Sequence, residues 1–219
     1  MLFRSPTSIS HLEAAALPLT SVTALQGVRN VGGIQKGERV LIVGASGGVG
    51  SYALQLAKYF GANVTGVTGS KHVEQAKKLG ADAVIDYTLT PLDTHSGKYD
   101  LIIAINGFNR LETYRNLLAP QGRFVMVGGK SYLQIIQITA LGSMLSKKGG
   151  QSIKGLLAKP NAEDLAFIAR LVDEKKLVPV IEREIAFEEI PKALAELEKG
   201  HTGGKIVADR KSTRLNSSH

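Results

Sequence analysis

Short runs of apolar, β-favouring residues punctuate the chain at 40–43 (VLIV), 64–67 (VTGV), 83–86 (AVID), 101–105 (LIIAI) and 124–127 (FVMV). Their starts fall 24, 19, 18 and 23 residues apart, the rhythm of strand, crossover helix and strand repeated. Three of the runs are continuously apolar instead of alternating, as parallel strands covered by helices on both faces are. The pattern predicts an α/β, doubly wound parallel sheet.

Between the runs the period changes to that of a helix. Val49, Ala53, Leu56, Ala57 and Phe60 form an apolar stripe able to lie on a sheet, with Ser51, Gln55 and Lys58 expected to face away and Gly61 to end the helix. Val73, Ala76, Lys77 and Leu79 precede Gly80, and Leu111, Tyr114 and Leu118 precede Pro120 and Gly122, each pair read as a helix and its stop. Further on, the pattern predicts an apolar stretch over 132–145, a strand over 152–157 and a helix from Asn161 or Ala162 to about Lys175. Asn161 is its N-cap, with Glu163 and Asp164 in the first turn. A strand over 178–185, a helix after Pro191 and a strand over 205–208 follow.

The chemistry concentrates in Gly44-Ala45-Ser46-Gly47-Gly48-Val49-Gly50, between the first strand and the first long helix. There an open α/β sheet binds the diphosphate of a dinucleotide, because side chains would hold the backbone off the phosphates and the helix start offers free N–H groups. Ser46, Gly47, Gly48 and Val49 are the expected diphosphate contacts, and Gly50 the point where helix packs on strand. An NAD site carries an acid at the end of the second strand; Thr68-Gly69-Ser70-Lys71 offers none. A hydroxyl, a glycine and an ammonium suit a 2′-phosphate instead, so NADPH is the expected cofactor. The bland alternative is that Ser70 and Lys71 merely cap and solvate the next helix.

Rival chemistries fail on spacing. Gly129-Lys130-Ser131 ends like an ATPase phosphate loop, but Phe124 stands where its first glycine belongs. None of the six tyrosines has a lysine four residues on, which excludes the short-chain dehydrogenase pair. There is no cysteine, and His11, His72, His95, His201 and His219 are too scattered for a local metal motif. The net charge of +8 is scattered rather than clustered and aromatic residues make up 5% of the chain, so nucleic acid is not an expected partner. No apolar run approaches the roughly 18 residues of a membrane span, and no leader pattern is seen; the expectation is a cytoplasmic protein. The last ten residues, RKSTRLNSSH, read as a disordered or non-native tail.

The residues Gly37-Glu38-Arg39-Val40-Leu41, then Ala45 to Gly50, then Gln55 and Lys58, resemble the motif of the zinc-independent medium-chain dehydrogenase/reductases of the quinone oxidoreductase, or zeta-crystallin, group. Glu13 to Pro18 with Thr23-Ala24-Leu25, the string GADAVIDY from Gly80 to Tyr87, and Gly203-Gly204-Lys205-Ile206-Val207 extend the resemblance to about residues 5–209. It implies an NADPH-dependent reductase of quinones or α,β-unsaturated carbonyls, a small-molecule substrate and no zinc. It places Ser70 and Lys71 at the 2′-phosphate, Tyr87 and Asn106 near the adenosine, and Gly128 and Gly129 beside the nicotinamide. No catalytic acid can be named; Lys130 and Tyr132 are candidates by position only, and an ordinary surface pair is the preferred reading of them.

The resemblance also implies a division: 1–20 as a junction remnant, 21–177 as the Rossmann domain, 178–209 as a return segment and 210–219 as the tail. A GroES-like first domain that would wall the substrate cleft is expected to be missing. The return segment would then expose apolar surface, leading to a homodimer or looser association. Two other functions stay open: a catalytically inactive NADP-binding fragment, and an alcohol dehydrogenase of the same superfamily.

Overall fold

The computed structural model describes residues 6–105, 109–128, 138, 150–198 and 202–210. In chain order the helices are α1 (His11–Ala15), α2 (Pro18–Leu25), α3 (Gly48–Tyr59), α4 (Val73–Lys78), α5 (Leu111–Leu117), α6 (Ala162–Asp173) and α7 (Ile190–Glu198). The strands are β1 (Arg39–Val43), β2 (Asn63–Thr68), β3 (Ala83–Asp86), β4 (Tyr99–Ile105), β5 (Leu118–Val127), β6 (Ser152–Leu156), β7 (Ile181–Ala186) and β8 (Lys205–Asp209).

Alternation along fully apolar strands sends side chains into two cores. Val40, Ile42, Val64, Leu101, Ile103 and Val125 pack under α2, α3 and α6, against Leu25, Leu54, Ala57, Ile168 and Leu171. Their neighbours Leu41, Val43, Ile102, Ala104, Phe124 and Met126 face the opposite layer, against Tyr114 and Leu117 of α5. A strand clad on both faces needs no polar positions, which is why the runs do not alternate.

The six-stranded sheet has the order β3-β2-β1-β4-β5-β6, every pair parallel. The expected doubly wound sheet is therefore present, with β6 as its sixth strand. The order reverses between β1 and β4, so the helices that follow them leave to opposite faces and a crevice opens beyond their carboxyl ends. β7 and β8 pair in parallel in a separate two-stranded sheet. Among the described residues no helix is long and apolar enough to cross a membrane.

Several expectations are corrected. The strand expected from Phe124 begins at Leu118: α5 stops before Pro120 and Gly122, as expected, but runs straight into β5, whose first residues contain both, with a register shift opposite Tyr99 and Leu101 and Gln121 at φ 63°. Ser51 and Gln55 are buried instead of facing outward. The side of α3 away from the sheet is covered by the chain around 178, where Gln55 Nε2 donates to the Val178 carbonyl (3.1 Å) and Gln55 Oε1 accepts from the Val178 N–H (2.8 Å). The strand expected from 178 begins at Ile181 because Val178 is committed to that pair. The helix expected to reach Lys175 ends at Asp173, two residues before Lys175 takes a positive φ of 56°.

Asn161 caps α6 as its sequence predicts, accepting from the Glu163 and Asp164 N–H groups at 2.8 and 3.0 Å. Asp164 has a second task. Its carboxylate accepts from Arg29 Nη2 at 2.5 Å and Gln26 Nε2 at 2.8 Å, both on the π-helical turn Gln26–Val31 that continues α2. This ties α6 to the helix lying beside α3. Side-chain exposure is 37% for Arg29 and 5% for Asp164, so water can serve the arginine once its partner is gone. Asp164→Ala is accordingly expected to cost about 1–3 kcal/mol, below the roughly 3–5 kcal/mol of a fully buried pair. In thermal unfolding this is a fall in Tm of roughly 2–10 °C.

Candidate functional site

At the exit of β1 the chain must turn sharply, and Gly44 does so at φ 80°, a conformation costly for any residue with a Cβ. The Gly44 and Ala45 N–H groups both donate to the Val67 carbonyl at 3.0 Å, which pins the turn to the end of β2. Gly47 is the N-cap of α3 and no side chain caps the helix. The N–H groups of its first turn, with no acceptor inside the helix, point into the crevice at the positive end of the helix dipole.

The glycines have separate reasons. At Gly50 a Cβ would lie 2.8 Å from the Gly44 carbonyl carbon and 2.9 Å from the Ala45 Cα, so α3 meets the turn backbone to backbone. At Gly47 a Cβ would meet only the Gly44 carbonyl oxygen, at 3.6 Å; no packing demands a glycine there, and its bareness serves the crevice. At Gly48 a Cβ would come within 2.8 Å of Lys205 Cδ. The stem of that lysine, from the start of β8, lies over the loop. Ser46 is buried and Val49 packs on the core, so both present main chain to the crevice.

Beside the loop the ends of β2 and β3 run together, with Thr68 paired to Asp86. Thr68 is 1% exposed and its Oγ1 has no hydrogen-bond partner among the described residues, a cost of about 1–3 kcal/mol that a polar ligand would relieve. Gly69 has an ordinary backbone (φ −84°, ψ 163°), so flexibility is not its contribution. A Cβ there would sit 3.3 Å from the Tyr87 hydroxyl, and the missing side chain lets the tyrosine close over the main chain. Lys71 and Ser70 are exposed at the same rim. Ser70 Oγ, however, donates to Asp86 Oδ2 at 2.5 Å and lies 2.7 Å from Thr88 Oγ1. The hydroxyls of Ser70 and Thr88 hold the Asp86 carboxyl below the usual carboxylate range. No acid follows β2, as read from the sequence, but one arrives from β3.

Gly128 follows β5 with φ 73°, at the carboxyl end of the sheet. Asn106, Gly129, Lys130 and Tyr132 lie outside the described residues, as do 211–219 of the expected tail. Sequence reasoning missed Lys205 and Asp86. The first was hidden in the string GGK, read only as a closing strand, and the second in AVID, read only as a strand end.

The segment bearing Lys205 is anchored to the site. Gln75 Nε2 on α4 donates to the Gly203 carbonyl at 2.6 Å, His72 Nδ1 lies 3.2 Å from Gln75 Oε1, and the Lys205 N–H donates to the Val180 carbonyl at 2.9 Å. Tyr52 of α3 is fully buried under this segment, and burial pushes its phenol pKa up.

A bare turn, an uncapped helix start, an orphaned buried hydroxyl and a lysine beside the loop fit the diphosphate and adenosine of a dinucleotide. The chain has no cysteine, and among the described residues no three His, Asp or Glu side chains could hold a metal ion.

A family model described as zinc-binding dehydrogenase matches residues 79–207, more than half of the chain. The chain belongs to this family, within the medium-chain dehydrogenase/reductase superfamily, and its relatives include quinone oxidoreductase homologues. The mitochondrial NAD(P)H oxidoreductase RTN4IP1 of Mus musculus is 35% identical over 227 residues, covering 93% of this chain and 57% of the relative. The chloroplast envelope quinone oxidoreductase homolog of Arabidopsis thaliana is 34% identical over 217 residues, covering 94% and 64%. The solved quinone oxidoreductase of Coxiella burnetii superposes with a TM-score of 0.82 at 32% identity, covering 94% of this chain and 62% of that one. The chain thus spans less than two thirds of the length of each. The names correct the cytoplasmic expectation: the first relative is mitochondrial and the second belongs to the chloroplast envelope. The absence of a recognisable leader was no basis for placing the chain in the cytoplasm.

The two glycine roles separate by substitution. Gly50→Ala is expected to cost about 1–3 kcal/mol through overpacking and to lower Tm by roughly 2–10 °C. Gly47→Ala meets no clash and should cost less, about 0.5–1 kcal/mol, because glycine is preferred to alanine at an N-cap, for a fall in Tm of roughly 1–4 °C. Differential scanning fluorimetry checks both.

Proposed function

We propose that this chain forms the cofactor-binding part of an NADPH-dependent oxidoreductase that passes a hydride to a quinone or an α,β-unsaturated carbonyl. The observation that carries the reading is the uncapped start of α3, held against a side-chain-free turn where the strand order reverses. The names of the relatives support the reaction class and a nicotinamide cofactor. The proposed organisation is a Rossmann domain over 21–177 with 178–209 as a return segment laid across α3.

In this reading the main chain of Ser46, Gly47, Gly48 and Val49 binds the diphosphate, with Lys205 adding charge from above. Thr68, Ser70, Lys71, Tyr87 and Asn106 hold the adenosine half, and Lys71 neutralises a 2′-phosphate. Gly128 and Gly129 let the nicotinamide ring approach the end of β5. When bound, the reduced nicotinamide supplies the hydride. The chain fixes the position and face of that ring and excludes water from it. Val178, Phe187, Leu194 and Leu197 are exposed, and this apolar face supports self-association through the return segment.

Calorimetric titration with NADPH and NADH, followed by an assay of NADPH-dependent quinone reduction, tests the reading. NADPH is expected to bind and to be oxidised by the quinone. Lys71→Ala should weaken NADPH binding about tenfold, the value of one charge-assisted contact to phosphate, and leave NADH within about twofold. Heat without turnover would assign nucleotide binding without catalysis, and no heat from either nucleotide would overturn the reading.

A further inference from the structure

We propose that Asp86 is a positioning residue that sets how far this chain prefers NADPH over NADH, acting through the Ser70 hydroxyl. The inference rests on the dinucleotide reading above and concerns the adenosine 2′ position of that site.

The two oxygens of the Asp86 carboxylate have different work. Oδ1 accepts from the Thr88 N–H at 2.9 Å and the Thr88 hydroxyl at 2.6 Å, and the Asp86 main-chain carbonyl accepts from Leu89 and Thr90. Those bonds build the turn after β3. Oδ2 reaches across to the β2 side, where it accepts from Ser70 Oγ at 2.5 Å. The Thr88 bonds of the turn fall on Oδ1, and the bond across to Ser70 falls on Oδ2.

Counting protons gives the consequence. The Ser70 and Thr88 hydroxyls carry one proton each. Inside the triangle they meet three short contacts: each to its carboxylate oxygen, and one to the other at 2.7 Å. With both protons held on these contacts, neither points to solvent. Towards solvent, where Ser70 is exposed, its hydroxyl presents lone pairs. A 2′-phosphate dianion asks for donors and meets a lone pair backed by a carboxylate of its own sign. The 2′-hydroxyl of NADH carries a proton and can donate it to Ser70. Lys71 at the same rim favours the phosphate, so the two groups oppose each other and both nucleotides are accepted.

Titration of the unaltered chain, Asp86→Asn, Asp86→Glu and Ser70→Ala with each nucleotide, alongside thermal unfolding, tests this. In Asp86→Asn the charge is gone and the side-chain amide can donate to Ser70 Oγ, which frees the serine proton. The affinity ratio of NADPH over NADH should rise roughly tenfold, the size of one hydrogen bond to a charged group. Asp86→Glu keeps the charge and should hold the ratio within about threefold of the original. Ser70→Ala should weaken NADH binding and leave NADPH no weaker. A merely structural role would weaken both nucleotides together and leave the ratio unmoved, which overturns the proposal, as does a selective loss of NADPH in Ser70→Ala. If Asp86→Asn fails to fold, Ser70→Ala decides. An unaltered chain that binds neither nucleotide removes the dinucleotide reading itself, whereas binding of both with an unmoved ratio removes only this inference.

Discussion

The structure turns on the backbone contact between the start of α3 and the exit of β1. Gly50 allows the first turn of the helix to rest on the Gly44 carbonyl and Ala45 Cα, closer than any side chain permits. That approach fixes the helix axis over the end of β1 and leaves its N–H groups aimed along the crevice. The crevice lies there because the strand order reverses between β1 and β4. The feature that lets α3 pack is therefore the one that leaves its end bare, where the proposed anion would sit.

The same helix organises what lies above it. α3 is buried on the side facing the sheet, and also on the far side, where Ser51, Tyr52 and Gln55 are covered. Gln55 forms two hydrogen bonds with the main chain of Val178, much as a neighbouring strand would. This bond pair sets the path of the chain into β7 and β8, and so delivers Lys205 to Gly48. Three sequence-distant segments, the glycine turn, the end of β2 and the start of β8, meet because one helix is clad all round.

Fold class was legible in the sequence because buried parallel strands advertise themselves as continuous apolar runs at helix-length intervals. The glycine turn was legible for the same reason, since its position between strand and helix is local. What escaped reading depends on tertiary partners. Gln55 and Ser51 have the residue types of a solvated face, and only the covering segment makes them interior. Pro120 and Gly122 signal a helix stop, and the register shift in β5 absorbs them into a strand. Asp86 sits at the end of one strand and acts on a serine after another, 16 residues away in sequence; the rule that looks for an acid after β2 passes over it.

Electrostatics at the two ends of the crevice then differ in kind. In the proposed reading, the diphosphate end meets its anion with oriented amides and a lysine stem folded over glycine. That end is built for charge, and charge of either nucleotide is the same there. At the adenosine end a cation and an anion, Lys71 and Asp86, share one rim with three hydroxyl-bearing residues, Ser70, Tyr87 and Thr88. The proposed reading thus puts binding strength at the first end and discrimination at the second. Because the proposed discriminating groups are exposed while the proposed gripping groups are main chain in a packed turn, this reading lets the choice of nucleotide change by surface substitution without disturbing the helix and strand beneath it.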